Sequence, residues 1–445
     1  MRLAPSILTN LWVLLLMVKE MPLISRNGLQ SSILWSVLIA SPAIALGAPA
    51  EIYLGLESRY SDNVAKAAVQ EQEDIENRVS LRGNVQSDPG KCIASADGEI
   101  AYSIYEEKTY DPQTQLNAGV FGSCELARGL SWEAENQIRD ITRSSRQSDT
   151  PDNRTRKNVF STGPSYRRML SSQDSIQLSS RYENTDFSDS DDTDSERVTG
   201  SIAWSHAFSP NFSAGLSSSV SHVELETSTE IQTRTVSATF SKRWTKAALS
   251  GSLGVSEIKT EGQSVQQESD GFVGDINLTR ALDSGANVYL RASRELTDQT
   301  SDFDIRFDEF TFELTDSDTV EVTIVETGLN KKFSNGDILS LSASASRSDY
   351  LNSTEQEDRA GLRTGYARVL TPQLSAVANA RYDYLTFEMD QSEDHIVGLD
   401  IGLVYRASRR LELAARIGRS ERTSDIPSQE HEENWALLSI DYQLR

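Results

Sequence analysis

Histidine, cysteine, serine and clustered carboxylates are where chemistry would first be sought in this chain. Its four histidines, His206, His222, His395 and His431, stand in no metal-binding spacing such as His-Glu-x-x-His, and no Gly-x-Ser-x-Gly occurs. Serine is so abundant that any Ser-His pairing is uninformative. The run Asp189-Ser-Asp191-Asp192-Thr-Asp194-Ser-Glu196 is spaced loosely like a calcium loop, but it lacks the glycine of the sharp turn and has no flanking helices. It reads as a solvated acidic loop. No catalytic residue, cofactor site or metal site is expected, with a hydrolase kept as a remote alternative.

Cys92 and Cys124 are the only cysteines. If the segments 92–105 and 114–126 form a hairpin, the register that pairs Ile100 with Leu116 also pairs Cys92 with Cys124, because both lie eight residues further from the loop on one face. A cross-strand disulfide is expected there, in an oxidising compartment. Two unpaired thiols, or a register displaced by two, are the alternatives.

A third group is ionic. Arg59, Arg78, Arg82, Arg139, Arg181, Arg291, Arg381, Arg406 and Arg416 share one face of alternating segments with Glu57, Glu133, Glu135, Asp275, Asp383 and Asp400. Such a face lines either a water-filled passage or an internal salt-bridge lattice.

The elements that must position these groups are strands. In RVTGSIAWSHAFSPNFSAGLSSSVSHVEL, residues 197–225, Val198, Gly200, Ile202, Trp204, His206 and Phe208 alternate with Arg197, Thr199, Ser201, Ala203, Ser205 and Ala207, and the alternation restarts after Ser-Pro-Asn. About 20 such segments follow one another from 51–60 to 433–444. Tight turns such as Asp-Pro-Gly-Lys at 88–91, Ser-Pro-Asn at 209–211 and Thr-Pro-Gln at 371–373 alternate with longer acidic stretches such as 183–196 and 257–270.

That asymmetry predicts an all-β protein, a transmembrane antiparallel up-and-down β-barrel of about 18–20 strands. Short periplasmic turns lie at one end and long acidic extracellular loops at the other. One face of Leu130, Trp132, Ala134 and Ile138 suits lipid, while the opposite face suits water, so neither needs bulk. Trp132, Trp204, Phe208, Phe212, Trp244, Tyr366, Tyr382, Tyr384 and Tyr405 are candidates for interfacial girdles. At this strand number the enclosed space is too wide for side chains alone to fill, which favours a channel. The segment 302–318, DFDIRFDEFTFELTDSD, alternates apolar residues like a small hairpin. It could fold inward as a constriction or extend the wall outward, and the extension is the expectation.

Residues 1–50 differ from the rest. Apolar runs at 7–18 and 29–48, the second after Arg26 and ending Ala-Ile-Ala-Leu-Gly-Ala-Pro-Ala, are the layout of a secretory signal cleaved after Ala45, Ala48 or Ala50. Translation starting at Met21 gives a signal of ordinary length; an uncleaved inner-membrane anchor is the alternative. Residues 51–445 then form the barrel domain. Losing Arg2, Lys19, Arg26 and Glu20 moves the formal charge from −23 to −25, which argues against nucleic acid as a partner.

With its signal, meander, turns such as Ser-Pro-Asn and Thr-Pro-Gln, acidic loops and last strand NWALLSIDYQLR, the chain resembles the porin-like outer-membrane β-barrels that accompany exopolysaccharide biosynthesis and export in Gram-negative bacteria. Leu438, Ile440, Tyr442 and Leu444 are similar to the sorting signal of such barrels, which departs here in ending on Arg445 instead of an aromatic residue. The resemblance implies residence in the outer membrane, the barrel-assembly machinery as a partner, and a passage for a polysaccharide or small polar solutes. Polysaccharide or export-system proteins are further implied partners. A non-conducting scaffold in a secretion or exopolysaccharide system is the alternative.

Overall fold

The computed structural model describes residues 50–262, 266–307, 310–314, 319–351 and 353–445. The signal peptide read over 1–50 lies, but for Ala50, outside the described residues. Twenty strands follow in chain order: β1 (Glu51–Ser61), β2 (Asp74–Gln86), β3 (Cys92–Tyr105), β4 (Gln113–Ala127), β5 (Leu130–Thr142), β6 (Arg154–Met169), β7 (Asp174–Phe187), β8 (Ser195–Ser209), β9 (Phe212–Leu225) and β10 (Glu230–Arg243). The second half comprises β11 (Ala247–Glu261), β12 (Gln266–Ala281), β13 (Ala286–Asp298), β14 (Thr319–Lys332), β15 (Ile338–Tyr350), β16 (Gln356–Val369), β17 (Leu374–Phe387), β18 (Ser392–Arg406), β19 (Leu411–Ser424) and β20 (His431–Gln443).

Each strand pairs antiparallel with its neighbours in sequence, and β1 also pairs with β20, so the sheet closes. Leu56 faces Val79 on one side and Ile440 on the other. Closure leaves no open edge, which hydrocarbon would penalise by several kcal/mol for every unpaired backbone group. Among the described residues no helix is long and apolar enough to cross a membrane.

The two faces of the wall differ in chemistry. Leu216, Val236, Leu253, Leu399, Ile401, Ile417 and Leu438 all point outward and are exposed. An apolar belt this continuous is an interaction surface, and its shape fits lipid. Trp132, Trp204, Phe208, Tyr366 and Tyr405 stand on the outer face near the tight turns, whereas Tyr60, Tyr102, Tyr182 and Tyr382 stand near the opposite end. Rings at both ends of an apolar belt match the two interfaces of a bilayer.

Strand pairing reaches further into the acidic stretches than their composition implies. In 183–196, β7 continues to Phe187 and β8 begins at Ser195; in 257–270, β11 continues to Glu261 and β12 begins at Gln266. Once a hairpin is paired within the belt, its backbone ladder can continue into water with polar residues on both faces. Much of the acidic surface is therefore carried by hairpins rising beyond the belt.

Candidate functional site

The residue alternation that sends leucines outward sends a polar set inward. All the predicted lumen residues, Arg59, Arg78, Arg82, Glu133, Glu135, Arg139, Arg181, Arg291, Arg381, Asp383, Arg406 and Arg416, occupy inward register positions. The structure sets a carboxylate beside six of the arginines, and in two cases, Arg181 with Glu133 and Arg381 with Asp383, the partner is itself one of the predicted residues. Arg59 meets Glu433 at 2.9 Å, Arg78 meets Glu99 at 2.7 Å, Arg181 meets Glu133 at 4.0 Å and Arg406 meets Glu412 at 3.6 Å. Arg82 pairs with Asp441 and Arg381 with Asp383, and Gln137 donates to Glu135 at 2.6 Å.

The charge is not spread evenly round the ring. From β8 to β11 most of the inward positions are serine or threonine, and several pair across strands: Thr199 with Ser221 at 3.2 Å, Ser217 with Ser237 at 2.8 Å, Thr235 with Ser256 at 2.9 Å. These hydroxyls satisfy one another while keeping the wall wettable. From β16 to β20 the wall instead carries Arg359, Arg363, Arg381, Asp383, Asp400, Arg416, Glu433 and Trp435.

Two loops close over this space from the end opposite the tight turns. The connection after β13 was expected as an outward hairpin; it instead turns inward through a short helix, α1 (Phe303–Arg306). Phe303 and Phe307 lie one helical turn apart with ring centroids at 4.9 Å, and Phe310 and Phe312 meet edge to face at 4.8 Å. Together they bury Val320, Val322 and Ile324 of β14 and Tyr350 of β15. Burying four phenylalanine rings against the inner wall offsets the ordering of the loop, an advantage that a water-exposed hairpin would forgo.

This loop is anchored across the barrel by ion pairs. Lys157 of β6, fully buried, donates to Gln299 O at 3.1 Å, Ser301 O at 2.5 Å and Asp304 Oδ1 at 2.8 Å. All three ammonium protons thus find oxygen. Arg197 of β8 bridges Glu183 at 3.0 Å and Asp298 at 2.8 Å, and Arg306 of α1 holds Glu295 at 2.8 Å and Asp302 at 2.9 Å.

A second inward loop, residues 143–153 between β5 and β6, crosses to the far wall. Arg146 reaches Glu355 at 2.5 Å and Asp390 at 2.8 Å, and lies over the Phe387 ring at 4.2 Å. Ser145 donates to Glu357 at 3.0 Å, and the buried Arg422 of β19, paired with Asp394, donates to Arg146 O at 2.8 Å. Burial alone would raise the Asp149 carboxyl, but Arg154 at 2.8 Å and the nearby Lys66 ammonium hold it below its ordinary value, so it stays charged. The loops touch where Leu314 N donates to Arg143 O at 3.1 Å.

The same arginine revises the reading of the acidic run. Asp192 is buried and meets Arg143 at 3.0 Å, while Asp189 meets it at 2.9 Å. This part of the loop is tied down, because a guanidinium at the root of the neighbouring loop draws the carboxylates in. Among the described residues no cluster could hold a metal ion.

Around the crossed loops the lumen keeps open space. A cavity of about 610 Å³ lies between the β3–β5 wall and Phe310, Thr311 and Phe312. Another, of about 300 Å³, lies between residues 142–149 and the β16–β20 wall. A third, of about 480 Å³, runs along the wall from Tyr289 to Trp435 and shares Arg363, Arg381, Gly398 and Ser420 with the second. Neither the loop at 143–153 nor Trp435 was singled out by sequence reasoning. The available signals were the arginines among serines at 143–146 and a lone indole on the polar face of the last strand.

Cys92 and Cys124 are joined by a disulfide on the outward face at the tight-turn end, opposite Trp132 in the register. The bond ties β3 to β4 across a sequence separation of 32 residues, which in a chain-entropy account restricts the unfolded chain by about 3–4 kcal/mol.

A closed antiparallel barrel with an apolar belt outside, aromatic girdles and a polar interior is the architecture of outer-membrane barrels. Residues 362–444 match the protein family described as "Putative beta-barrel porin 2". No curated protein matches the sequence. Among solved structures, a mutant of the ferric enterobactin receptor PfeA from Pseudomonas aeruginosa superposes with a TM-score of 0.46 at 10% identity, covering 89% of this chain and 81% of that one. The outer membrane protein OpdK from the same organism gives 0.41 at 12% identity, covering 89% and 99%. The copper transporter OprC gives 0.43 at 10%, covering 89% and 81%. These likenesses concern the fold and say nothing about cargo.

Proposed function

We propose that the chain is an integral outer-membrane barrel, delivered through a signal peptide at 1–50, that forms a polar passage for a polysaccharide or for small polar solutes. The observation that carries this reading is the inner wall. Hydroxyls line one sector and ion pairs another, and cavities flank the crossed loops instead of a sealed apolar core. A barrel meant only to be solid would gain more from apolar packing than from charges that must be desolvated and paired. The loops make the passage a narrowed one, with a guanidinium-rich wall beside the gap.

A second reading, a non-conducting scaffold for a secretion or exopolysaccharide system, is favoured by one feature, the buried ion pairs that lock both loops. Reconstitution in planar bilayers separates the two. The passage reading expects discrete conductance steps from folded protein, smaller than an unobstructed barrel of this size would give. Folded, inserted protein that stays silent would leave the scaffold.

A further inference from the structure

The outer face of the wall carries cations at both ends, in two different settings. At the loop end they pair with carboxylates of neighbouring strands: Arg156 meets Asp140 at 2.8 Å, Lys259 meets Glu268 at 2.9 Å, Arg347 meets Asp358 at 2.6 Å and Arg419 meets Glu432 at 2.7 Å. The tight-turn end is arranged otherwise.

Six successive strands that run down to a tight turn, β6, β8, β10, β12, β14 and β16, close on one pattern: YRRML at 166–170, WSHAF at 204–208, FSKRW at 240–244, LTRAL at 278–282, LNKKF at 329–333 and YARVL at 366–370. The middle residue of each is a base on the outward face, two residues after an aromatic ring or leucine and two before another large apolar residue. These bases are Arg168, His206, Lys242, Arg280, Lys331 and Arg368. They recur on every second strand, about 10 Å apart round the wall. The matching positions on β18, β20, β2 and β4 hold Tyr405, Tyr442, Val85 and Cys124, which carry no charge. The bases therefore form an arc over about half the ring.

The register sets apolar residues beside this arc. Ile176 stands opposite Arg168, Phe212 and Leu249 opposite Lys242, Ala247 and Val288 opposite Arg280, and Ala286 and Leu339 opposite Lys331. Carboxylates of the turns are engaged: Asp174 with His206 at 2.8 Å, Asp283 with Lys246, and Asp337 with the Tyr366 hydroxyl at 2.7 Å and Val369 N at 2.9 Å. Arg368 lies near that last carboxylate. Among the described residues no ion pair involves Arg168, Lys242, Arg280 or Lys331. Lys242 and Lys331 rest over the Phe212 and Phe333 rings at 5.4 and 4.7 Å, and Lys242 reaches Asn211 Oδ1 at 3.5 Å. Such contacts orient an ammonium without neutralising it.

In a chain of formal charge −23 the arc is a local reversal of sign. It sits among the rings that mark one edge of the apolar belt, where long basic side chains extend toward the headgroups. Phosphate is the anion found at that depth, and it suits both a guanidinium fork and an ammonium.

We infer that this arc is a binding surface for anionic phospholipids of the leaflet at the tight-turn end, with their phosphates held by the bases on the even strands from β6 to β16. The inference needs the barrel in a bilayer but no open passage, so a silent barrel would leave it intact.

The test places a fluorophore on a single introduced cysteine in the full-length protein, reconstituted in phosphatidylcholine vesicles. Leu249→Cys reports from beside Lys242, and Leu413→Cys from beside Tyr405, outside the arc. Nitroxide-labelled phosphatidylglycerol or phosphatidylcholine is added at equal mole fraction as the quencher. At 249 the anionic lipid is expected to quench about threefold or more better than the neutral one, and at 413 about equally. Lys242→Gln with Arg280→Gln should remove most of the preference at 249, and adding Arg168→Gln and Lys331→Gln should remove the rest. Heat-modifiable migration on gels confirms that each variant is folded. Equal quenching by both lipids at 249, a preference as large at 413, or one that survives all four substitutions would overturn the inference.

Discussion

Replacing residues 302–314 with a short glycine-serine bridge is expected to raise single-channel conductance about twofold or more, since current through a wide aqueous pore follows its narrowest open section. The segment fills space in the ring that backbone hydrogen bonding does not need. The strands on either side, β13 and β14, pair with each other from Asp298–Thr319 down to Ala286–Lys331 whatever the loop does. Excision does expose Val320, Val322 and Ile324, which the phenylalanine cluster covers. Losing that cover costs stability near the loop end but leaves the closed ladder intact. Planar-bilayer recordings of both proteins make the comparison. An unchanged conductance would mean that the segment does not limit the passage.

Lys157→Met should have the second largest effect, and a different one. Removing the ammonium leaves Asp304, almost wholly buried, without its cation, and its Oδ2 already has no hydrogen-bond partner. Breaking one partner of a buried pair costs about 3–5 kcal/mol, and here the loss falls on the docked loop, not on the barrel ladder. The expected outcome is a channel that flickers between the native conductance and the level of the loop-excised protein, while unboiled gel migration is unchanged. Adding Asp304→Asn removes the stranded charge and should restore much of the quiet, closed-loop level. Quiet native-level recordings from the single variant would show that Lys157 does not hold the loop.

The strands were legible in the sequence because two solvents read every second residue. Once Leu216 and Val220 face hydrocarbon and Ser217 and Ser219 face water, period two is enforced along the whole of β9, and the same holds strand after strand. The pairing of Ile100 with Leu116 follows from the same alternation. What the inward loops do was not legible, for a physical reason. Phe303 and Phe307 are four apart, a spacing shared by one face of a strand and one face of a helix, so the pattern alone favoured a hairpin. The choice was made by distant partners: Lys157 for the backbone carbonyls, Val320 and Tyr350 for the rings. Arg143 and Arg146 likewise look like surface charge until Asp192, Glu355 and Asp390 are brought to them. Trp435 was hidden by its neighbours, since Leu438, Ile440 and Tyr442 drew the reading of the last strand to its outer face.

Because both native cysteines are joined to each other, a single introduced thiol can be labelled without background. Four variants along β9, Leu216→Cys, Ser217→Cys, Ser219→Cys and Val220→Cys, are reconstituted in vesicles and treated with a charged, water-soluble thiol reagent. Labelling at 217 and 219 with protection at 216 and 220 is the result the account predicts. Equal reactivity at odd and even positions would contradict it, because no water-filled ring surrounded by lipid could then lie behind this wall.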